Sequence, residues 1–212
     1  MTDVLDYLRR FNRKERFFLV GQALGNQNFR LSDQFCHDVG TELLIDVPPD
    51  AFVAMDYHLD WLYASLHLSA DGGNYGPHLN DRKMVRAQQE DIDLLIAYQA
   101  GDQFHIVLVE AKGESAWSNQ QMISKAGRFG DIFGAAGSAF ESVVPHFLAM
   151  SPRRPHLRTD TWPTWMLRDG TIPWLRLDMG DGLLKISRWT PGPGDGAGKA
   201  DRNGTHWKVI PA

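Results

Sequence analysis

Apolar positions recur at three- and four-residue spacing through the first third of the chain, which predicts a helical lead-in. Val4, Leu5, Leu8 and Phe11 form one stripe. Asn12 stands in N-cap position before a second helix through Phe17, Phe18 and Val20, stopped near Gly25. Ser32 caps a short helix carrying Phe35 and Val39, with Gly40 as its stop. After the break at Pro48-Pro49-Asp50, the spacing of Phe52, Met55, Leu59, Leu62 and Leu66 predicts a long amphipathic helix over 51–66.

Residues 69–83 are loop-like in composition. The pattern then changes to β. Residues 92–98 and 104–112 read as two strands joined by a hairpin turn at Gln99-Ala100-Gly101-Asp102-Gln103. A helix is expected over 118–133, with Ser118 or Asn119 at its start, and a strand over 143–150, ended by Ser151-Pro152. Short strands follow at 174–177, 183–189 and 207–210. Between the last two, Pro191 to Gly204 holds five Gly and two Pro in fourteen residues and reads as a mobile loop. No repeat and no linker is visible. The expectation is one domain over 1–212, of mixed α/β (α+β) type, with a strand-rich extension over 151–212.

Composition narrows the class. Hydrophobic residues are 43% and charged residues 23%, which excludes disordered and fibrous chains. No apolar run approaches the roughly 18 residues of a membrane span. The first residues lack the basic and apolar regions of a secretory signal. The lone cysteine, Cys36, excludes an internal disulfide and a multi-cysteine zinc site, so a reducing, cytoplasmic setting is expected. The net charge of −4 is uneven: residues 1–150 carry 12 Lys/Arg against 20 Asp/Glu, and residues 151–212 carry 10 against 6. An acidic body with a basic C-terminal third suits a polyanion partner if the basic groups share a face.

The chemistry concentrates in Glu90-Asp91-Ile92-Asp93-Leu94-Leu95-Ile96 and, past the hairpin turn, Val109-Glu110-Ala111-Lys112-Gly113. Side chains alternate along a strand, so Glu110 and Lys112 share one face, as do Asp91 and Asp93. Pairing through the turn brings Asp93 or Asp91 beside Glu110 and Lys112. Two adjacent carboxylates repel, and one takes up a proton unless a cation intervenes. Mg²⁺ suits hard oxygen donors of this kind and keeps room for water and phosphate.

Asp93 followed by Glu110-Ala111-Lys112 resembles the D…(D/E)-x-K signature of the PD-(D/E)XK nuclease superfamily, over roughly residues 12–150. The resemblance implies a restriction-endonuclease-like mixed β-sheet core flanked by helices. It implies a phosphodiesterase acting on nucleic acid, with DNA favoured. Asp93, Glu110 and the Ala111 carbonyl would bind Mg²⁺ or Mn²⁺, and Lys112 would be catalytic. Relatives add a glutamate on the first core helix, here Glu15, and a glutamine on the helix after the motif, here Gln120 or Gln121. Many such nucleases act as homodimers, although no dimer surface is legible. Ile92 stands where the family carries proline, which leaves Asp91 and Asp93 competing for the first metal position. A non-catalytic nucleic-acid or protein binding module of the same fold is the alternative, and a plain surface ion cluster is a third.

Each candidate also has an ordinary structural role. Asn12 to Glu15 matches capping-box spacing. Arg9, Arg10, Arg13, Lys14 and Arg16 form a basic run of the kind that is usually a solvated face. Gln121, Lys125 and Arg128 fall on one helix face, suited to a phosphate backbone. Trp162, Trp165, Trp174, Trp189 and Trp207 suit base stacking or, more simply, packing. Gly198-Lys199 fails as a P-loop end, because Pro193 and Ala200 occupy two required positions. No H-E-x-x-H occurs, Ser138 is not in a nucleophile elbow, and Cys36 lies on an apolar face.

Overall fold

Two hairpin-joined strands at the centre organise the rest of the chain. The computed structural model describes residues 3–11, 14–27, 29–87, 90–113, 117–180, 182–192 and 198–211. In chain order the elements are α1 (Val4–Arg10), α2 (Glu15–Leu24), α3 (Asp33–Leu43), β1 (Phe52–His58), α4 (Leu59–Ala70), β2 (Asp91–Ala100) and β3 (Gln103–Ala111). Then come α5 (Asn119–Phe133), β4 (Val143–Ser151), a 3-10 turn at Thr164–Met166, β5 (Trp174–Arg176), β6 (Leu184–Thr190), β7 (Lys199–Ala200) and β8 (His206–Pro211).

The fold is mixed α/β. Strands β1 to β5 form one sheet in chain order, and β6 pairs with β7 and β8 in a second, antiparallel sheet. β2 and β3 pair antiparallel through a tight turn at Gly101-Asp102, where Gly101 takes φ 59°. β3 and β4 run parallel, so the chain must cross over between them, and α5 is that crossover. Ser118 caps α5 by accepting from the Gln121 N–H.

Helices cover both faces of the large sheet. On one face Leu8, Leu62, Leu66, Phe129 and Phe133 meet Leu95, Ile106, Leu108 and Phe147. On the other, Cys36 and Val39 of α3 pack on Ile96, Val107, Val109 and Leu148. With both faces covered, the central strands read as continuous apolar runs. Burial pushes the Cys36 thiol upward, away from the thiolate a nucleophile needs. Among the described residues no helix is long and apolar enough to cross a membrane.

The expected helix over 51–66 is a correction. Phe52–His58 is strand β1, and only Leu59–Ala70 is helical. Pairing of β1 with β2 outweighs the helical spacing of Phe52, Met55 and Leu59. Gly40 does not end α3, which runs on to Leu43. An added Cβ at Gly40 would lie 2.6 Å from the Ile45 carbonyl oxygen, so glycine there serves close backbone approach. In the Pro191 to Gly204 stretch, Lys199–Ala200 pairs with β6, while residues 193–197 lie outside the described residues. Of the tryptophans, Trp162 is buried and Trp165 and Trp174 pack on the core, but Trp207 is exposed.

At the far end of the sheet, His105 Nδ1 and His146 Nε2 lie 3.0 Å apart, with the rings stacked on each other and on Tyr98. Burial and the neighbouring His105 push the His146 imidazole down to about 4. A folded-state value below the ordinary one means that the unfolded chain binds more protons between about pH 6.5 and about 4. Stability therefore falls as pH drops through that window. Denaturant unfolding from pH 7 to 4 should show wild type losing more stability than His146→Gln. Parallel curves would remove His146 from the account.

Candidate metal and phosphate site

Antiparallel register places Leu94 opposite Val109, so the next position out sets Asp93 against Glu110 at the mouth of the hairpin. Glu110 turns to the α5 face, where Lys125 meets it, whereas Asp93 lines the groove on the opposite side of the strand ends with Ala111 and Phe35. Asp93 Oδ2 accepts from the Ala111 N–H at 2.7 Å, which holds the carboxylate against the end of β3. Glu110 is 3% exposed. Its carboxyl is pushed up to about 7, mainly by burial and further by the Asp93 charge, against the pull of Lys125 and Lys112.

No hydrogen bond or ion pair among the described residues joins Asp93, Glu110 and Lys112, the three residues expected to converge. Asp93 and Lys112 both act on Glu110. Lys112 is half-buried beyond the end of β3, and its N–H donates to the Met150 carbonyl at 2.8 Å. Its ammonium makes no hydrogen bond or ion pair among the described residues. Asp91 is drawn elsewhere: its carboxylate pairs with Lys14, and its backbone carbonyl accepts from Lys125 Nζ at 2.8 Å. Of the two aspartates, Asp93 is the one held to the end of β3, and Asp91 lines the cavity that Lys125 also lines.

The sequence reading missed the part played by Lys125. Its ammonium is paired with Glu110 and is largely buried. This revises the phosphate-facing stripe expected on α5. Lys125 points into the carboxylate cluster, and Arg128 is 1% exposed, bonded to Asp60 and the Met84 carbonyl. Gln121 alone of the three stays exposed. With Gln120, Ser118, Ser124, Asp91 and Lys125 it lines an open cavity of about 440 Å³. Asp93 and Ala111 line a separate groove of about 500 Å³ on the other side of the strand ends.

Glu15 is the first residue of α2 and is exposed, with no bond to Asp93 or Glu110 among the described residues. The N-cap of α2 is Lys14, without a side-chain cap bond, and Asn12 and Arg13 lie outside the described residues. The rest of the basic run is largely neutralised: Arg10 pairs with Asp6, Arg16 with Asp56, and Lys14 with Asp91. A different basic group lies near the strand ends. Ser151 closes β4 beside the end of β3, and exposed Arg153, Arg154 and Arg158 follow. The Arg158 N–H donates to Asn119 Oδ1 in the first turn of α5, which holds this segment beside that helix terminus.

Two carboxylates from adjacent strands, one of them with a raised pKa, make a donor set that suits a hard divalent ion. Mg²⁺ takes only one or two protein carboxylates, so the pair fits it. Among the described residues no third carboxylate or imidazole joins them. The Lys125 ammonium holds part of the charge that such an ion would supply. Compared with protein-family models, curated proteins and solved structures, the chain returns no match.

Proposed function

We propose that this chain is a metal-dependent nuclease hydrolysing phosphodiester bonds of nucleic acid, DNA in the first place, on a core of restriction-endonuclease-like type. The observation that carries the reading is the register that sets Asp93 beside Glu110, with Lys112 two residues on, at the carboxyl end of β3 next to a parallel strand. Ligands of α/β sheets gather at such strand ends.

In this reading Asp93 and Glu110, with the Ala111 carbonyl, hold Mg²⁺ or Mn²⁺. The bound ion would make a water more nucleophilic and neutralise charge growing on the phosphate. Lys112, whose ammonium is uncommitted among the described residues, orients the attacking water or a phosphate oxygen. Gln121, in the cavity it lines with Asp91 and Lys125, steadies the substrate. Arg153, Arg154 and Arg158 supply phosphate contacts that position the polymer without reading its sequence. Glu15 has no part in this arrangement.

One observation favours a second reading. Lys125 already neutralises Glu110, as it would in a binding module that has exchanged its metal for an internal cation. Cleavage assays on single- and double-stranded DNA and RNA, with Mg²⁺, Mn²⁺ or EDTA, decide between them. The nuclease reading expects cleavage that EDTA abolishes and that Lys112→Ala lowers by roughly 10²- to 10³-fold. Binding without cleavage would favour the module. Cleavage undiminished in Lys112→Ala would remove the role given to Lys112.

A further inference from the structure

The loop after α4 carries a second constellation that neither the hairpin site nor the proposed reaction uses. His67 lies in the last turn of α4, and Asp71 is the C-cap of that helix, one turn on. His78 returns to them from the irregular segment that follows. His67 Nε2 and His78 Nδ1 are 3.2 Å apart, and His78 Nδ1 lies 4.0 Å from Asp71 Oδ2. All three ligand atoms fall within 4.8 Å of one another. Donors bound tetrahedrally to zinc at about 2.0–2.2 Å sit roughly 3.3–3.5 Å apart. The two nitrogens already have that spacing, and a rotation of exposed Asp71 brings the oxygen to it.

The surroundings support ligation. His78 Nε2 is 2.7 Å from the Asn74 carbonyl, which accepts its N–H. That bond leaves Nδ1 as the lone-pair nitrogen, aimed at His67. An outer hydrogen bond that fixes the tautomer in this way is the usual companion of a metal-bound histidine. The two imidazole rings meet at 85° with centroids 4.9 Å apart, and Tyr63 stacks on His67 at 5.8 Å. His67 Nε2 and His78 Nδ1 are the ring atoms that approach each other. A cavity of about 350 Å³ bordered by Tyr63, Tyr75 and Leu79 opens beside them and leaves room for a fourth ligand.

We infer that His67, Asp71 and His78 bind a zinc-type divalent ion, with water in the fourth position. Imidazole donors select Zn²⁺ and its neighbours over Mg²⁺, so this site is chemically separate from Asp93 and Glu110 and does not depend on their role. The ion fastens the segment from Asp71 to His78 onto the end of α4. A plain hydrogen bond between the two imidazoles is the competing account.

The test uses the full chain, freed of metal and titrated with Zn²⁺ by calorimetry and with Co²⁺ by visible absorption. Background variants are Asp93→Asn with Glu110→Gln, which remove the hairpin carboxylates. One equivalent of Zn²⁺ should bind wild type and that background alike. Affinity should fall by more than roughly 100-fold in His67→Gln and in His78→Gln, with loss of the Co²⁺ tetrahedral band. The Zn²⁺-induced rise in melting temperature should disappear in both. Absence of Zn²⁺ binding by wild type, or equal binding by both histidine variants, overturns the site. If a histidine variant does not fold, Asp71→Asn serves as the third arm and should weaken binding without removing it.

Discussion

Glu110→Gln should lower Mg²⁺-dependent cleavage by on the order of 10³-fold and remove the Mn²⁺ site with it. The size follows from charge stabilisation worth several kcal/mol, at tenfold in rate for each ~1.4 kcal/mol. Glutamine keeps the shape of the side chain and a carbonyl oxygen for Lys125, so the fold should survive the change. What it removes is the second negative oxygen of the Asp93–Glu110 pair. Burial already disfavours a charged Glu110, whose carboxyl sits at about 7. Unlike His146, a raised acid binds more protons folded than unfolded, so it lowers stability as pH rises from about 4.5 to about 7. The glutamine variant should lose that slope. Steady-state cleavage, Mn²⁺ titration and unfolding at several pH values read the three effects separately. Undiminished cleavage by a folded Glu110→Gln protein would end the metal-ligand assignment.

The second large effect falls on stability. Arg128→Met should cost about 3–5 kcal/mol, because it breaks a buried ion pair by removing one partner. The Arg128 guanidinium is 2.9 Å from Asp60 Oδ1, and it also bonds the Met84 carbonyl. Asp60 in turn accepts the backbone N–H groups of Arg86 at 3.0 Å and Ala87 at 2.7 Å. One side chain of α5 therefore ties α4 to the segment that leads into β2. Asp60→Asn added to Arg128→Met should restore part of the loss, since it removes the stranded charge and keeps an oxygen for Arg86 and Ala87. Urea unfolding measures both. A single variant within about 1 kcal/mol of wild type would show that the pair contributes little net stability.

Much of the central architecture was legible in the sequence because two signals agreed there. Apolar runs of strand length flanked a turn expected over 99–103, which left Asp91 and Asp93 both open beside Glu110. Pairing up to Ala100 and Gln103 shortens that turn to Gly101-Asp102 and fixes the register. The helix expected over 118–133, with Ser118 or Asn119 at its start, is α5, capped by Ser118. β1 was misread for a specific reason. Asp56 adopts φ 50°, and core-facing positions pass from Phe52 and Ala54 before it to Tyr57 and Leu59 after it. That shift turns a period of two into a mixture that mimics a helix. Lys125 and Arg128 were misassigned because their spacing gives a shared stripe but not its direction. Only the crossover from β3 to β4 turns that stripe inward. His67, Asp71 and His78 match no compact zinc-binding pattern in the sequence, because these donors join a helix end to a loop.

The parallel pairing of β3 with β4 also sets an order of assembly. The β2–β3 hairpin closes over two residues, and such hairpins form within microseconds. β3 meets β4 only after the long excursion through α5, and such non-local pairing is slow. In order of synthesis, the hairpin that carries Asp93 and Glu110 precedes the helix that bears Lys125. A growing chain that ends ahead of Asn119 already holds both acids but not the helix whose lysine pairs with Glu110.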